Sequence, residues 1–154
     1  MALNPIRTCA KAIILRNRQI LSVKYADEGG EYYALPGGTQ LHGETLPAAL
    51  VREVHEETGV YVSIKGLRFV LEYIGALGES AWRDAGVHQV EFLFECTLSD
   101  DQKTEMGSMP DHGQVAVIWL PIEDIHQYRF YPRRLIDYLA KPFPEVIEYW
   151  DQID

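Results

Sequence analysis

The alternation of apolar and polar side chains predicts strands over the first part of the chain. Ile6 to Leu15 is rich in small and β-branched residues, and Gln19 to Tyr25 continues this character after a short polar turn. Together these segments predict a β-hairpin. Tyr32 to Leu35 predicts another short strand, which leads into Pro36-Gly37-Gly38. Two glycines at that point allow the backbone to approach a ligand closely.

Strand character returns after residue 59. Val60 to Ile64 and Leu67 to Ile74 are predicted as two short strands, and a polar loop, Gly75 to Gly86, follows them. Val87 to Leu98 and the apolar run Val115 to Leu120 predict two more strands. Alternation within Val87 to Leu98 places Val90, Phe92, Phe94 and Cys96 on one face, and Glu91, Leu93 and Glu95 on the other.

Two segments have helical periodicity. The first lies between Thr45, a suitable N-cap, and Gly59, a natural C-terminal stop. Its residues Leu50, Val51, Val54 and Thr58 share a face that can pack on a core. The second helix is predicted over about residues 132–140, with Pro132 at its first position and Leu135, Ile136 and Leu139 at helical spacing.

The order of elements is hairpin, strand, helix, strands and helix, which predicts an α/β fold with a mixed sheet flanked by helices. Ser99 to Gly113 is a long acidic loop, and loops of this length in small domains are usually functional or mobile. The acidic, aromatic tail after residue 141 has no clear assignment. At 154 residues, the sequence predicts a single domain spanning 1–154.

The formal net charge of −9 argues against broad binding to nucleic acid or anionic membranes. It does not exclude a phosphorylated substrate, because a metal ion can supply local positive charge. Cys9 and Cys96 have neither metal-site spacing nor a disulfide framework, which favours buried thiols in a reducing compartment. We expect a cytoplasmic protein, because no apolar run is long enough to span a membrane and Met1 to Pro5 is too short for a signal peptide.

An acidic cluster in the first helix breaks the rules of helix stability. Glu53, Glu56 and Glu57 are spaced i, i+3 and i+4, so their like charges share one face. Two of them also lie near the negative end of the helix dipole. Arg52 can offset part of this cost as the i, i+4 partner of Glu56. A bound cation is the simplest further compensation, and oxygen ligands select Mg2+, with Mn2+ as the alternative.

The stretch from Gly38 to Val60 resembles the Nudix box, G-x5-E-x7-R-E-U-x-E-E-x-G-U, where U is aliphatic. The resemblance implies an α/β/α sandwich with a mixed sheet, in which the box helix lies on one side. It also implies an enzyme that uses divalent cations to hydrolyse a nucleoside diphosphate linked to another group, X. The fixed positions are filled by Gly38, Glu44, Arg52, Glu53, Val54, Glu56, Glu57, Gly59 and Val60.

The resemblance assigns a role to each polar residue of the box. Arg52 is expected to orient Glu53 through a charge-assisted hydrogen bond. Glu44 is expected to bind metal through water or to order the loop that contains it. The expected metal ligands are Glu53, Glu56, Glu57 and the carbonyl oxygen of Gly37.

The general base stays open. Glu56 or Glu57 could accept the proton of the attacking water, or Asp111 or His112 could do so from the acidic loop. Some relatives carry a glutamate shortly before the Trp-containing strand, but this chain has Asp111-His112-Gly113-Gln114 there.

Substrate recognition is the least determined part of the sequence. Trp82 could cover the substrate as a lid, while Lys24, Arg83 and Arg7 could contact phosphates. Several aromatic residues could stack on a base: Tyr25, Tyr32, Tyr33, Tyr73, Phe92 and Tyr131.

We expect a small nucleotide-type partner. The aromatic tail (Phe143, Tyr149, Trp150) could also contribute to a homodimer. Two other functions compete with hydrolysis. A nucleotide-sugar sensor of the same fold would usually carry a degraded box, and a diphosphate isomerase would need a cysteine beside the metal site.

Overall fold

The computed structural model describes residues 4–151; the last three residues of the acidic tail, 152–154, lie outside that range, as do residues 1–3. One long helix, α1 (Leu46–Thr58), and one short helix, α2 (Ala81–Asp84), accompany a nine-stranded sheet. The strands are β1 (Arg7–Arg16), β2 (Gln19–Asp27), β3 (Gly30–Ala34), β4 (Gly37–Thr39), β5 (Ser63–Ile74), β6 (His88–Thr97), β7 (Gln114–Pro121), β8 (Phe130–Tyr131) and β9 (Glu148–Trp150).

The sheet is mixed, as predicted. Its main path runs β8-β3-β2-β1-β6-β5-β9, with β4 paired to β1 and β7 paired to β2. The pairs β1–β6, β3–β8 and β5–β9 are parallel, while the others are antiparallel. The hairpin of β1 and β2 turns at Asn17 and Arg18, whose φ angles of 52° and 61° are those of a two-residue type I′ turn.

Two hydrophobic cores lie on opposite faces of the central strand β1. Its small residues Ala10 and Ala12 pack with Leu50 and Val54 of α1. Its residue Ile13 belongs instead to the second core, which also contains aromatic residues of β5, β8 and β9. Strand β1 therefore separates the layer of α1 from the other half of the molecule. The alternation predicted for β6 is confirmed, since Phe94 and Cys96 join the α1 core and Leu93 joins the other.

Two predicted boundaries are wrong for local reasons. The segments predicted as separate strands around residue 65 form one strand, β5, because Gly66 lies at a bulge and does not end the pairing. The helix predicted over about 132–140 is a 3₁₀ helix, Arg133–Tyr138, and Pro132 precedes it. Its hydrogen bonds join residues three apart: the N–H of Leu135 donates to the carbonyl of Pro132, and the N–H of Leu139 donates to the carbonyl of Ile136. In a segment this short, the spacing of apolar residues cannot distinguish the three-residue turn of a 3₁₀ helix from the 3.6-residue turn of an α-helix.

Other segments form secondary structure that the pattern of apolar and polar residues did not predict. The polar loop after β5 contains a 3₁₀ turn, Gly75–Leu77, and helix α2. Residues 37–39 form β4, and the tail contributes β9, whose Trp150 is fully buried. Within residues 4–151, none of the helices has the length and apolar character that crossing a membrane requires.

Candidate active site

Helix α1 begins and ends as its sequence predicts. The hydroxyl of Thr45 accepts a hydrogen bond from the N–H of Ala48 at 3.2 Å, which satisfies one of the free donors of the first turn. Gly59 ends the helix in the left-handed region with φ of 76°, and its N–H donates to the carbonyl of His55. The acidic residues of α1 are therefore held on a defined helical frame.

The acidic loop, residues 99–113, completes the C-terminal end of α1. The N–H groups of Glu105, Gly107 and Met109 donate to the last carbonyls of the helix at 3.0 to 3.1 Å. The side-chain amide of Gln114 donates to the carbonyl of Glu57 at 2.9 Å, and its oxygen accepts from the N–H of Asp111. These bonds supply the partners that a helix end otherwise lacks, and they fix the loop to the acidic cluster.

Arg52 is the centre of the polar network on α1. Its guanidinium donates to both carboxylate oxygens of Glu44 at 2.7 and 2.9 Å, to Glu53 at 2.9 Å and to Glu56 at 3.3 Å. A fifth bond, of 3.1 Å, reaches the carbonyl of Thr39 at the end of β4. The planar fork of arginine matches this arrangement, whereas a lysine could not make it. The bond from Arg52 to Glu53 is present, and the proposed orienting role stays a prediction.

Glu44 is held by the loop that precedes α1. Besides Arg52, the N–H of Leu41 donates to its carboxylate at 3.0 Å. The guanidinium of Arg52 and the Leu41 N–H lower the pKa of Glu44 from 4.5 to about 2. Glu44 therefore stays ionised and joins the loop to the helix.

Glu57 is a buried carboxylate, with 1% of its surface exposed. One oxygen accepts a hydrogen bond of 2.7 Å from the N–H of Gly37. Burial raises the pKa of Glu57 to about 7, although Lys11 and the Gly37 N–H act in the opposite direction. The sequence predicted an acidic helix face but gave no sign that one of its members is enclosed.

Two glycines allow β4 to pass between β1 and α1. A Cβ at Gly37 would lie 2.1 Å from the carbonyl oxygen of Ala10, and one at Gly38 would lie 2.5 Å from the carboxylate of Glu53. The N–H of Ala12 donates to the carbonyl of Pro36, and the N–H of Gln40 donates to the carbonyl of Thr8. These two bonds show which residues of this segment form hydrogen bonds with β1 and which do not. By alternation, the polar groups of Gly37 point away from β1.

A cavity of about 510 Å³ lies on the other face of β1. Residues of β1, β5 and β6 form its floor, and side chains from β2, β3, α2 and the acidic loop form its walls. A volume of this size suits a ligand as large as a nucleotide. The polar and aromatic lining residues are Arg7, Lys11, Tyr25, Tyr32, Tyr73, Ser80, Arg83, Asp84, Gln89, Glu91, Asp111, His112 and Tyr131.

The cavity receives only some of the residues predicted to bind substrate. Arg83 and Arg7 line it, and Arg83 stacks on Tyr32 at 4.8 Å. Lys24 does not line it and pairs instead with Glu31 at 2.9 Å. Trp82 is also absent from the lining; its side chain is 58% exposed.

The predicted aromatic candidates divide in the same way. Tyr25, Tyr32, Tyr73 and Tyr131 line the cavity, whereas Tyr33 belongs to the core and Phe92 packs against the α1 core.

Both alternative bases, Asp111 and His112, lie on the cavity wall. The hydroxyl of Tyr25 donates to the carboxylate of Asp111 at 2.9 Å, and Gln114 holds the backbone of the same residue. The acidic loop therefore holds Asp111 on the cavity wall, and the charge of Asp111 helps to raise the pKa of Glu57.

Lys11 is a cavity residue that the sequence reasoning missed. It lies on β1 directly opposite Gly37 of β4, and it is half-buried. The available signal was a charged side chain inside the apolar run CAKAIIL, a position where lysine is rare unless it has a specific role.

The carboxylates of Glu53, Glu56 and Glu57 are of a type that binds a hard divalent cation, although they do not converge on a single point. Among residues 4–151, no three acidic, histidine or cysteine side chains converge on a common point for a metal ion. Arg52 engages Glu53 and Glu56, while Glu57 turns to Gly37. All three are oxygen ligands, as Mg2+ prefers. The buried carboxylate of Glu57, whose ionised form burial disfavours, would be stabilised by a nearby cation.

Comparison with known proteins gives matches over most of the chain. A model of the NUDIX domain matches residues 6–139. Low-salt glycan biosynthesis protein Agl8 of Haloferax volcanii is 36% identical over 99 residues, which are 64% of this chain and 60% of that protein. Putative nudix hydrolase 1 of Caenorhabditis elegans is 34% identical over 123 residues, which are 75% of this chain and 29% of that protein. The chain thus spans less than two thirds of the length of either relative.

The structural comparison agrees with these matches. The crystal structure of a MutT NUDIX hydrolase from Burkholderia pseudomallei superposes with a TM-score of 0.70 at 23% identity, covering 89% of this chain and 99% of that one. The predicted mixed sheet with flanking helices is therefore confirmed.

Proposed function

Since the chain is an enzyme of the Nudix hydrolase family, we propose that it is a Mg2+-dependent pyrophosphohydrolase. The proposed reaction is attack of water on phosphorus in the diphosphate linkage of a nucleoside diphosphate derivative. One observation carries the proposal: an acidic cluster organised by Arg52 lies across β1 and β4 from a cavity large enough for a nucleotide.

The residues of α1 supply the part of the site that binds the cation. Glu53, Glu56 and Glu57 would hold Mg2+, with the carbonyl of Gly37 as a further ligand. When bound there, the cation neutralises phosphate oxygens and lowers the pKa of water. Arg52 limits the conformations of Glu53 and Glu56, so that little ordering is needed when the substrate arrives.

Asp111 and His112 are the cavity-wall candidates for the general base, and Glu56 and Glu57 are the alternatives on α1. A base must come within hydrogen-bond reach of the attacking water. The hydrogen bonds of Asp111 to Tyr25 and Gln114 support a fixed orientation for this carboxylate. If Asp111 is the base, Asp111→Asn should lower kcat by about 10²- to 10⁴-fold, the usual contribution of a general base, whereas His112→Gln should leave kcat close to that of the wild type.

The proposal predicts that carboxamide substitutions in the cluster abolish turnover. We would incubate the purified protein and Mg2+ with ADP-ribose, nucleoside diphosphate sugars and nucleoside triphosphates, and follow phosphate species by 31P NMR. Glu53→Gln and Glu57→Gln should remove activity while circular dichroism shows an intact fold, because each change keeps the shape of the side chain but removes a charged ligand.

Glu123→Gln is the matched control, since Glu123 is exposed outside the site. Its activity should equal that of the wild type. Unchanged rates in Glu53→Gln and Glu57→Gln would refute the proposed site. Recovery of uncleaved ligand from a tight wild-type complex would favour a sensor instead.

A further inference from the structure

We propose that Lys11 binds a phosphoryl group of the substrate diphosphate from the floor of the cavity. The inference rests on the proposed function and adds to it a substrate-binding residue that lies outside the Nudix box.

The position of Lys11 places it between the acidic cluster and the cavity. In the pairing of β1 with β4, Lys11 is opposite Gly37, whose N–H donates to Glu57. In the pairing of β1 with β6, it is opposite Leu93, next to the Cys9–Glu91 pair. Lys11 also lines the cavity, so this residue of β1 contributes to the cavity and is paired with Gly37, next to the acidic cluster.

Nearby acidic side chains favour the charged form of Lys11. Burial alone would lower its pKa, but Glu91, Glu57 and Asp111 together raise it above the usual value. A buried lysine without such neighbours would lose its proton far more readily.

The charge of Lys11 is balanced only at a distance. Within residues 4–151, no carboxylate oxygen lies within 4.0 Å of its nitrogen, so it makes no direct ion pair. In contrast, Arg83, a cavity cation that belongs to α2, is bonded to Asp27 and Asp84. An ammonium group with three N–H donors and no direct partner is suited to donate hydrogen bonds to the oxygens of a phosphoryl group.

The competing role for Lys11 is that of a structural counter-charge for the buried Glu57 and the half-buried Glu91. Replacing Lys11 with a neutral side chain would have different effects under the two roles. A counter-charge affects the stability of the folded protein, whereas a substrate contact affects the affinity for a diphosphate at constant stability.

The test measures binding of a diphosphate that cannot be cleaved at its bridge, α,β-methylene-ADP, with Mg2+ by isothermal titration calorimetry. Lys11→Met removes the charge and keeps most of the length of the side chain. Its Kd should be weaker by about tenfold or more, as expected for one lost charge-assisted hydrogen bond. Lys11→Arg should recover part of the affinity, and Lys65→Met, an exposed change on β5, should bind as the wild type does.

A second measurement uses the wild-type protein and so does not depend on the folding of a variant. The 13Cε signal of Lys11 should shift when the probe is added, while that of Lys65 should not. Wild-type affinity in a folded Lys11→Met, or an unmoved Lys11 signal in a protein that binds the probe, would overturn the inference. Wild-type protein that neither binds nor cleaves any diphosphate would instead refute the proposed function.

Discussion

At the scale of single residues, Gly38 sets the position of the Glu53 carboxylate. The place where a Cβ would stand at residue 38 is already filled by that carboxylate, 2.5 Å away. Gly38→Ala should therefore displace Glu53 and lower kcat on the order of 10²-fold, as small misplacements of reacting groups do.

Steady-state kinetics and circular dichroism would check this prediction. Gly66→Ala is the control, since a Cβ there meets nothing closer than 3.9 Å. Equal activity in the two variants would show that Glu53 is not held by this contact.

Glu44 makes the stability of the protein dependent on pH. Its pKa is about 2 in the fold and near 4.5 in the unfolded chain, so the unfolded state binds its proton first as the pH falls. The stabilising contribution of Glu44 is complete above about pH 5 and is lost progressively as the pH falls towards 2. The wild type should therefore exceed Glu44→Gln in unfolding free energy at pH 7, and the difference should shrink by pH 3.

Urea unfolding at pH 7, 5 and 3 would measure the difference between the two proteins. A difference that stays constant over this range would contradict the role given to the Arg52–Glu44 pair.

The sequence predicted those residues whose role depends on local spacing. Thr45 caps the start of α1 and Gly59 caps its end, as expected, because caps act on neighbouring backbone groups. The burial of Glu57 could not be predicted, and the unusual lysine at position 11 gave no indication of which residues would surround it. The surroundings of both residues depend on β4 lying between α1 and β1, a contact between segments that are distant in sequence.

At the scale of elements, the acidic loop and α1 behave as one unit. Gln114 connects them, because its amide bonds the carbonyl of Glu57 and the N–H of Asp111. Gln114→Leu should release the loop, so that the N–H groups of Gly107 and Met109 exchange hydrogen faster while those of β1 and β6 do not.

Hydrogen exchange followed by mass spectrometry on peptides that cover residues 104–113 would test this. Gln127→Leu, an exposed change outside the loop, is the control. Unchanged exchange in Gln114→Leu would mean that the backbone bonds alone hold the loop.

Element boundaries were predicted well where apolar and polar residues alternate clearly. They were predicted poorly where the same sequence pattern is compatible with two local structures. The gap predicted between Ile64 and Leu67 is a bulge within β5, at Gly66. The spacing of Leu135, Ile136 and Leu139 fits either helical period, and the segment proved to be 3₁₀. The edge strand β9 has only three residues, too few to show a period.

At the scale of the whole molecule, the C-terminal strand closes the core beneath the cavity. Trp150 packs on Phe69 with ring centroids 4.5 Å apart, and it pairs in register with Leu71, which lines the cavity. Trp150→Ala should lower the unfolding free energy by about 3–5 kcal/mol, the usual cost of removing a large buried aromatic side chain.

Chemical denaturation would measure this cost. Val146→Ala, at a side chain that is 78% exposed, should change the unfolding free energy by less than about 0.5 kcal/mol. A similar loss in both variants would show that the tail does not complete the core.

The fold class followed from the order of elements, but the strand order did not. No periodicity indicates that β1 pairs with β6 in parallel, or that β7 returns to β2. The cavity forms between strands that this order brings together. Its lining residues therefore could be predicted only from their side-chain type, without knowledge of their positions. Arg83 was predicted among them, whereas Lys24 and Trp82 proved to lie elsewhere.

The placement of α1 and the cavity on opposite faces of β1 has a consequence for how such an enzyme diversifies. The helix that carries the acidic cluster and the rim around Arg83 and Tyr131 belong to separate stretches of chain, with separate supporting cores. Under the proposed function, mutations in the rim would change which molecule is accepted and leave the acidic cluster in place. Selection could then explore new preferences while the cluster is inherited unchanged.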